Sequence, residues 1–334
     1  MTSCYFALMQ RHPFRKQGNT LPADSYAQPE IRVQQIEEMI KNAEVSITSE
    51  SLPAPDVKIA ICPEHFLARQ HGKKIARPTD GRFFNEMHEV IPILQQLTLI
   101  SRSRPDWLII PGSITVFGLN PVKSGDLEKD ILYTHDMLTK TNDAGHNATM
   151  QNIALQKELD VTHSYLKKQG EQLLRPCYNI APIYLAGTII KIRRKKFEAY
   201  GEQGSLDLIG EGSEAGFFPM SDPKAVFEFK GLTIGVEICV EHEHGLLKSE
   251  APDGLDLHIL ISNEVTPFTE HAALKANGAL VHVDTNSTGV YRKNELVGAS
   301  NPWDFIPKNH SVQKSHFVRQ NVGVEDAIRL ELGK

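Results

Sequence analysis

Strand-length apolar runs and segments of helical spacing follow one another along this chain, a pattern that predicts α/β layers. CYFALMQ at 4–10 reads as a strand. In PEIRVQQIEEMIKNA at 29–43, Ile31, Ile36, Met39 and Ile40 fall near helical spacing behind a proline suited to a first turn. VKIAICPEHF at 57–66 predicts a short strand ended by Pro63, and MHEVIPILQQLTLISRS at 87–103 predicts a helix with Pro92 near its first turn. DWLIIPGSITVF at 106–117 reads as strand, Pro-Gly turn and strand. YNIAPIYLAGTIIKIRRKKF at 178–197 divides into two strands about Gly187, and AVFEFKGLTIGVEIC at 225–239 forms a hairpin turning at Lys230 and Gly231. LDLHILISNEV at 255–265 and GALVHVDTNSTGVY at 278–291 are strand-like, with a helix expected over TEHAALKANG at 269–278. A turn-rich and then β-like stretch closes the chain.

One segment departs from the pattern. Residues 120–175 are polar and carry Leu127, Ile131 and Leu138, then Met150, Ile153, Val161 and Tyr165, at helical spacing, which predicts a helical insertion. No internal repeat, low-complexity tract or linker divides the chain, so a single domain over 1–334 is expected.

Charge narrows the function classes. The net charge of −5 argues against a dedicated binder of nucleic acid or anionic membrane. The basic cluster Arg193, Arg194, Lys195, Lys196 is too short to reverse that. MTSCYFALMQRHPF lacks the basic start of a secretory leader, and no apolar run reaches membrane-spanning length. Cys4, Cys62, Cys177 and Cys239 are scattered without a CxxC pair, which suits free thiols in a reducing compartment and a cytoplasmic setting.

Three segments share one grammar, an apolar strand that delivers a reactive side chain at its end. IAICPEHF ends at Glu64, TIIKIRRKK at Lys195, and TIGVEICVEH at Cys239. Side chains at strand ends line the crevice where α/β sheets bind ligands. A carboxylate, an ammonium and a thiol brought together there make a coherent machine. The carboxylate removes the thiol proton, and the ammonium with the Val240 N–H stabilises the oxyanion of a tetrahedral intermediate. That is acyl transfer from a carbon–nitrogen bond, through a thioester, to water.

The ordered set of motifs resembles the nitrilase superfamily of carbon–nitrogen hydrolases. The pieces are ALMQ with Gln10, CPEHFL around Glu64, WLIIPGSI, YNIAPIYLAGTIIKIRRKK, GLTIGVEICVEHEHG, GLDLHILISNEVTP and HAALKANGALVHVDTNSTG. They span roughly 4–118 and 176–292. The resemblance implies an αββα four-layer sandwich, usually paired into a homodimer or higher homo-oligomer. It also implies Glu64 as general base, Lys195 as transition-state stabiliser and Cys239 as nucleophile. Glu202 in FEAYGEQG matches a second glutamate of the family, and Glu241 matches its acidic residue two positions after the cysteine, on the substrate side with Val240. Lys195 competes with Lys196, because a one-residue shift of register swaps them and flips the side chain to the other face. The implied substrate is a small linear amide, carbamoyl compound or nitrile, with no cofactor. Two rivals stay open: a catalytically inactive binding protein on the same fold, and an acyltransferase.

CVEHEH raises a separate option, a metal held by His242, His244, Glu241 and Glu243. Spacing of i and i+2 puts both histidines on one face only in a strand, and zinc wants three or four converging ligands, so no metal is expected there.

Overall fold

The computed structural model describes residues 2–10, 29–67, 87–117, 174–196, 214–217, 226–263, 265–285, 288–292, 313–319 and 323–332. The expected insertion at 120–175 lies outside them, apart from its last residues, which belong to a strand.

Two sheets carry the fold. The first is nine-stranded. Its spine is β13 (Gln313–Arg319), β14 (Gly323–Leu332), β1 (Thr2–Gln10), β2 (Val57–Ile61), β3 (Trp107–Ile110), β5 (Leu174–Leu185) and β4 (Ile114–Phe117). The long β5 also pairs with β6 (Thr188–Arg194) and β7 (Glu214–Phe217). The second, five-stranded sheet runs β12 (Thr288–Arg292), β11 (Leu274–Asp284), β10 (Leu255–Ser262), β9 (Leu232–Ile238) and β8 (Val226–Phe229). In each sheet three neighbouring strands are parallel: β1, β2 and β3 in the first, β9, β10 and β11 in the second.

Alternation along β1 shows why the layers stack as they do. Tyr5, Ala7 and Met9 pack with Val33, Ile36, Met39 and Ile40 of α1 (Pro29–Ser49) and with Ile93, Leu94 and Leu97 of α2 (Met87–Ser103). Cys4, Phe6 and Leu8 point the other way, into a core shared with Ile234, Val236 and Ile238 of β9 and Ile259 and Ile261 of β10. A strand buried on both faces must read as a nearly unbroken apolar run, and CYFALM does. Each fully buried aliphatic or aromatic side chain here contributes about 1.5–3 kcal/mol. On the outer face of the second sheet, Leu247 of the short helix α3 (Leu246–Glu250) packs on Leu255 and Ala273. The order is therefore helix, sheet, sheet, helix, the expected αββα sandwich, with a thin fourth layer.

Two readings are corrected. The helix expected over 269–278 is a single 3-10 turn, Thr269–His271, after which the chain enters β11 at Leu274. Ile31, grouped with Ile36, Met39 and Ile40 at helical spacing, is 38% exposed and stands apart from them, while Val33 takes a core position. No described helix is long and apolar enough to cross a membrane.

Candidate active site

Parallel strands deliver their ends to one edge of each sheet, and the residues just beyond β2 and β9 meet there. Cys62 N–H still bonds Ile110 O (2.9 Å), so the chain leaves β2 in register before Pro63 turns it. Gly112, at φ +84°, lets the β3–β4 turn lie against that loop: a Cβ there would sit 2.2 Å from Pro63 O. Ser113 Oγ accepts the His65 N–H (3.0 Å), and Arg32 Nη1 donates to the carbonyls of His65 (3.3 Å) and Phe66 (2.5 Å). Held this way, Glu64 is 1% exposed and points inward.

Its partners come from a cross-strand pair. The β5–β6 ladder aligns Ile180 with Arg194, and Lys195 N–H extends it by donating to Asn179 O (2.8 Å). Asn179 and Lys195 therefore stand opposite one another on the same face. Both reach one oxygen: Lys195 Nζ lies 2.8 Å and Asn179 Nδ2 2.9 Å from Glu64 Oε1. The Cys239 thiol, which lies 4.0 Å from Asn263 O, is also near enough to the Glu64 carboxylate to favour its ionised form. Burial alone would push the Glu64 carboxyl up. The Lys195 ammonium, the His65 imidazole 3.7 Å away, and the bonds from Cys239 and Lys195 outweigh it and hold the group below its ordinary value.

Cys239 opens a 3-10 turn, Cys239–Glu241, at the end of β9. Its φ of +55° is in the left-handed region, which costs a residue with a Cβ roughly 1–3 kcal/mol and persists only where the surroundings over-determine it. Glu241 supplies one restraint. Its carboxylate accepts from Ile238 N–H (2.8 Å) and Lys196 N–H (2.6 Å), and Arg193 Nη2 lies 2.8 Å from it. Arg193 and Glu241 are both buried.

The structure thus brings Glu64, Lys195 and Cys239 together, and it resolves the register in favour of Lys195. Lys196 contributes its backbone N–H to Glu241 instead. Glu241, expected on the substrate side, has its oxygens engaged by the turn of Cys239 and by the end of β6. Val240, next to the thiol, is partly exposed. Glu202 and the Gln10 side chain lie outside the described residues. Asn179, His65 and Arg193 were not among the expected site residues. A polar residue interrupting the apolar run YNIAPIYL was the available signal for Asn179.

Behind the turn, on the outer face of the second sheet, Glu237, His242 and His258 place three ligand-type atoms within 4.8 Å of one another. The surrounding donors decide what this group is. Ala273 N–H donates to His258 Nδ1 (3.1 Å), which puts the ring proton on Nε2, the atom facing Glu237 at 2.9 Å. A nitrogen that carries a proton offers no lone pair to a metal. The donor set fits a hydrogen-bonded network and does not fit a metal site.

This buried face makes stability pH-dependent. Burial pushes His282 down to about 4, against the pull of Asp284, and burial likewise lowers His258. Below the ordinary value of 6.5 the unfolded chain binds protons that the fold refuses. The stability contribution is complete above that pH and is lost as pH falls through the window towards the folded-state values. The expected slope is about 1.4 kcal/mol per pH unit for each such imidazole, offset in part by Glu241, whose carboxyl burial raises to about 7 and whose contribution is lost as pH rises towards that value. Denaturant unfolding at a series of pH values between about 4.5 and 7.5 measures it, and a flat profile contradicts it.

The two sheets and their helices define an α/β sandwich. No family model and no curated protein matches the chain. Among solved structures, it is similar to a mutant of the Nesterenkonia AN1 amidase from the nitrilase superfamily. That match has 11% identity and a TM-score of 0.48, and covers 98% of this chain and 90% of that one. It is also similar to Saccharomyces cerevisiae Nit3, a member of branch 10 of the nitrilase superfamily, with 14% identity, a TM-score of 0.48, and coverage of 99% and 90%. A glutamine-dependent NAD+ synthetase from Acinetobacter baumannii matches with 13% identity and a TM-score of 0.46, over 88% of this chain and 42% of that one. Function is argued from the side chains.

Proposed function

We propose that this protein is a thiol-dependent hydrolase of carbon–nitrogen bonds, acting on a small linear amide, carbamoyl compound or nitrile. One observation carries the reading: a single buried carboxylate, Glu64, receives the Lys195 ammonium at 2.8 Å and is held ionised by it and by the neighbouring Cys239 thiol.

With an amide substrate, Glu64 takes the thiol proton as Cys239 Sγ forms a bond to the carbonyl carbon. The Lys195 ammonium and the Val240 N–H hold the oxyanion. Protonated Glu64 returns its proton to the leaving nitrogen, the carbon–nitrogen bond breaks, and a thioester remains. Glu64 then deprotonates water, which attacks the thioester and regenerates the thiol.

The test replaces Cys239 with alanine or serine and follows ammonia or amine release over a panel of linear amides, carbamoyl compounds and nitriles. The expected loss is on the order of 10⁴-fold or more. Survival of the parent activity overturns the nucleophile assignment. A parent that releases nothing, and whose Cys239 reacts with iodoacetamide no faster than Cys4 and Cys62, is instead the inactive binding protein.

A further inference from the structure

Cys239 keeps its left-handed backbone under restraint from two sides, and Glu241 accounts for only one. On the other side His242, fully buried, is tied into the same turn by its own N–H, which bonds Cys239 O at 3.0 Å. Its ring spans two elements. Nδ1 lies 2.9 Å from Glu237 Oε2 on β9, and Nε2 lies 2.9 Å from the nitrogen and 3.0 Å from the carbonyl oxygen of Phe268 in the segment 265–268. That segment begins beside the site: Asn263 O is 4.0 Å from Cys239 Sγ, and Val265 N–H bonds Asp284 at 3.2 Å.

The ring protons that face Glu237 are fixed by groups with one role each. A carboxylate can only accept and a backbone N–H can only donate, so Ala273 leaves the His258 proton on Nε2 and Glu237 calls for a proton on His242 Nδ1, while Phe268 meets His242 Nε2 with its N–H at 2.9 Å and its carbonyl oxygen at 3.0 Å. Both remaining ring N–H groups then point at Glu237 Oε2, while Leu247 N–H bonds Oε1 at 2.6 Å. The buried Glu237 carboxylate is held well below the usual carboxylate range; burial opposes this, and the two imidazoles and their hydrogen bonds prevail.

We infer that His242, oriented by Glu237 and His258, is a positioning residue that locks the turn bearing Cys239 to β9 and tethers the 265–268 segment to the same point. This rests on the thiol hydrolase reading for its purpose, but not for its test. The two ends of the ring are separable. Asparagine places an amide nitrogen near the Nδ1 position and keeps the Glu237 bond. Glutamine places its amide near Nε2, where its oxygen can accept the Phe268 N–H or its nitrogen donate to the Phe268 carbonyl, and abandons Glu237.

The experiment measures Cys239 alkylation by iodoacetamide at neutral pH, with no substrate, in both variants. His242→Gln is expected to slow it by about tenfold or more, and His242→Asn by less than about threefold. Equal losses in both variants, no loss in either, or the reverse order overturn the proposal, since a merely structural role does not distinguish the two ring ends. A second measurement needs no variant: long-range proton–nitrogen NMR of the intact protein should find a proton on Nδ1 of His242 and His258 as the Nε2–H tautomer. A bare Nδ1 at His242 or the opposite tautomer at His258 overturns it. If these results hold and no carbon–nitrogen bond is cleaved, the hydrolase reading alone fails.

Discussion

Glu64→Gln is expected to lower kcat/KM toward the best substrate of the panel by about 10²–10⁴-fold, the range lost with a general base. The substitution keeps shape and volume, so the loop after β2 retains its anchors at Ser113 and Arg32. What it removes is a carboxylate kept ionised by Lys195 and available to the Cys239 thiol. An amide cannot take the thiol proton. It also leaves the buried Lys195 ammonium facing a neutral group that no longer balances its charge. Two assays separate these effects. Steady-state kinetics reads the catalytic loss, and iodoacetamide alkylation of Cys239 reads loss of thiolate at rest. A variant whose kcat/KM stays within about threefold of the parent would remove Glu64 from the mechanism and leave the thiol without its base.

Much of the site is legible in the chain because strand ends announce themselves: an apolar run that stops at Glu64, Lys195 or Cys239 marks a sheet edge. The Lys195 and Lys196 alternatives could not be separated there. Period-two alternation gives the two residues opposite faces but does not say which face is inward, and only the pairing of Lys195 with Asn179 decides it. The buried braces were harder to see. Glu237, Arg193 and His258 look like ordinary polar positions of amphipathic strands until the outer layer closes over them, and Glu241 was placed on the substrate side only by its match to the acidic residue two positions after the family's cysteine. The segment at 269–278 failed for a different reason. Its alanines, leucine and lysine favour a helix, but propensity is a weak term against tertiary pairing: Leu274 pairs with Leu255 of β10, and after a register shift the ladder continues from Ala279 to Asp284. Gly278 marks the override, since a Cβ there would lie 2.3 Å from Leu255 O.

Glu241→Ala is expected to destabilise the fold by about 3–5 kcal/mol, the cost of leaving a buried charge without its partner. The stranded group is the Arg193 guanidinium, 1% exposed, for which the nearest other carboxylate among the described residues is Glu250, with an oxygen 3.9 Å from Nη1. The variant also strips acceptors from Ile238 N–H and Lys196 N–H, the two backbone groups that tie the nucleophile's turn to the end of β6. Its damage should therefore exceed that of Arg193→Leu, which leaves those two bonds in place. The double variant Arg193→Leu with Glu241→Ala separates charge from brace. With both charges gone the electrostatic penalty disappears, so stability should recover by about 1–3 kcal/mol relative to Glu241→Ala. Cys239 alkylation should stay slow, because Ile238 and Lys196 still lack their acceptor and the left-handed turn still lacks one of its restraints. Denaturant unfolding and thiol kinetics on the same samples decide the matter. Fast alkylation in the double variant would mean that the strained backbone of Cys239 is held by His242 alone, and strict additivity of the two single substitutions would mean that Arg193 and Glu241 do not act as a pair.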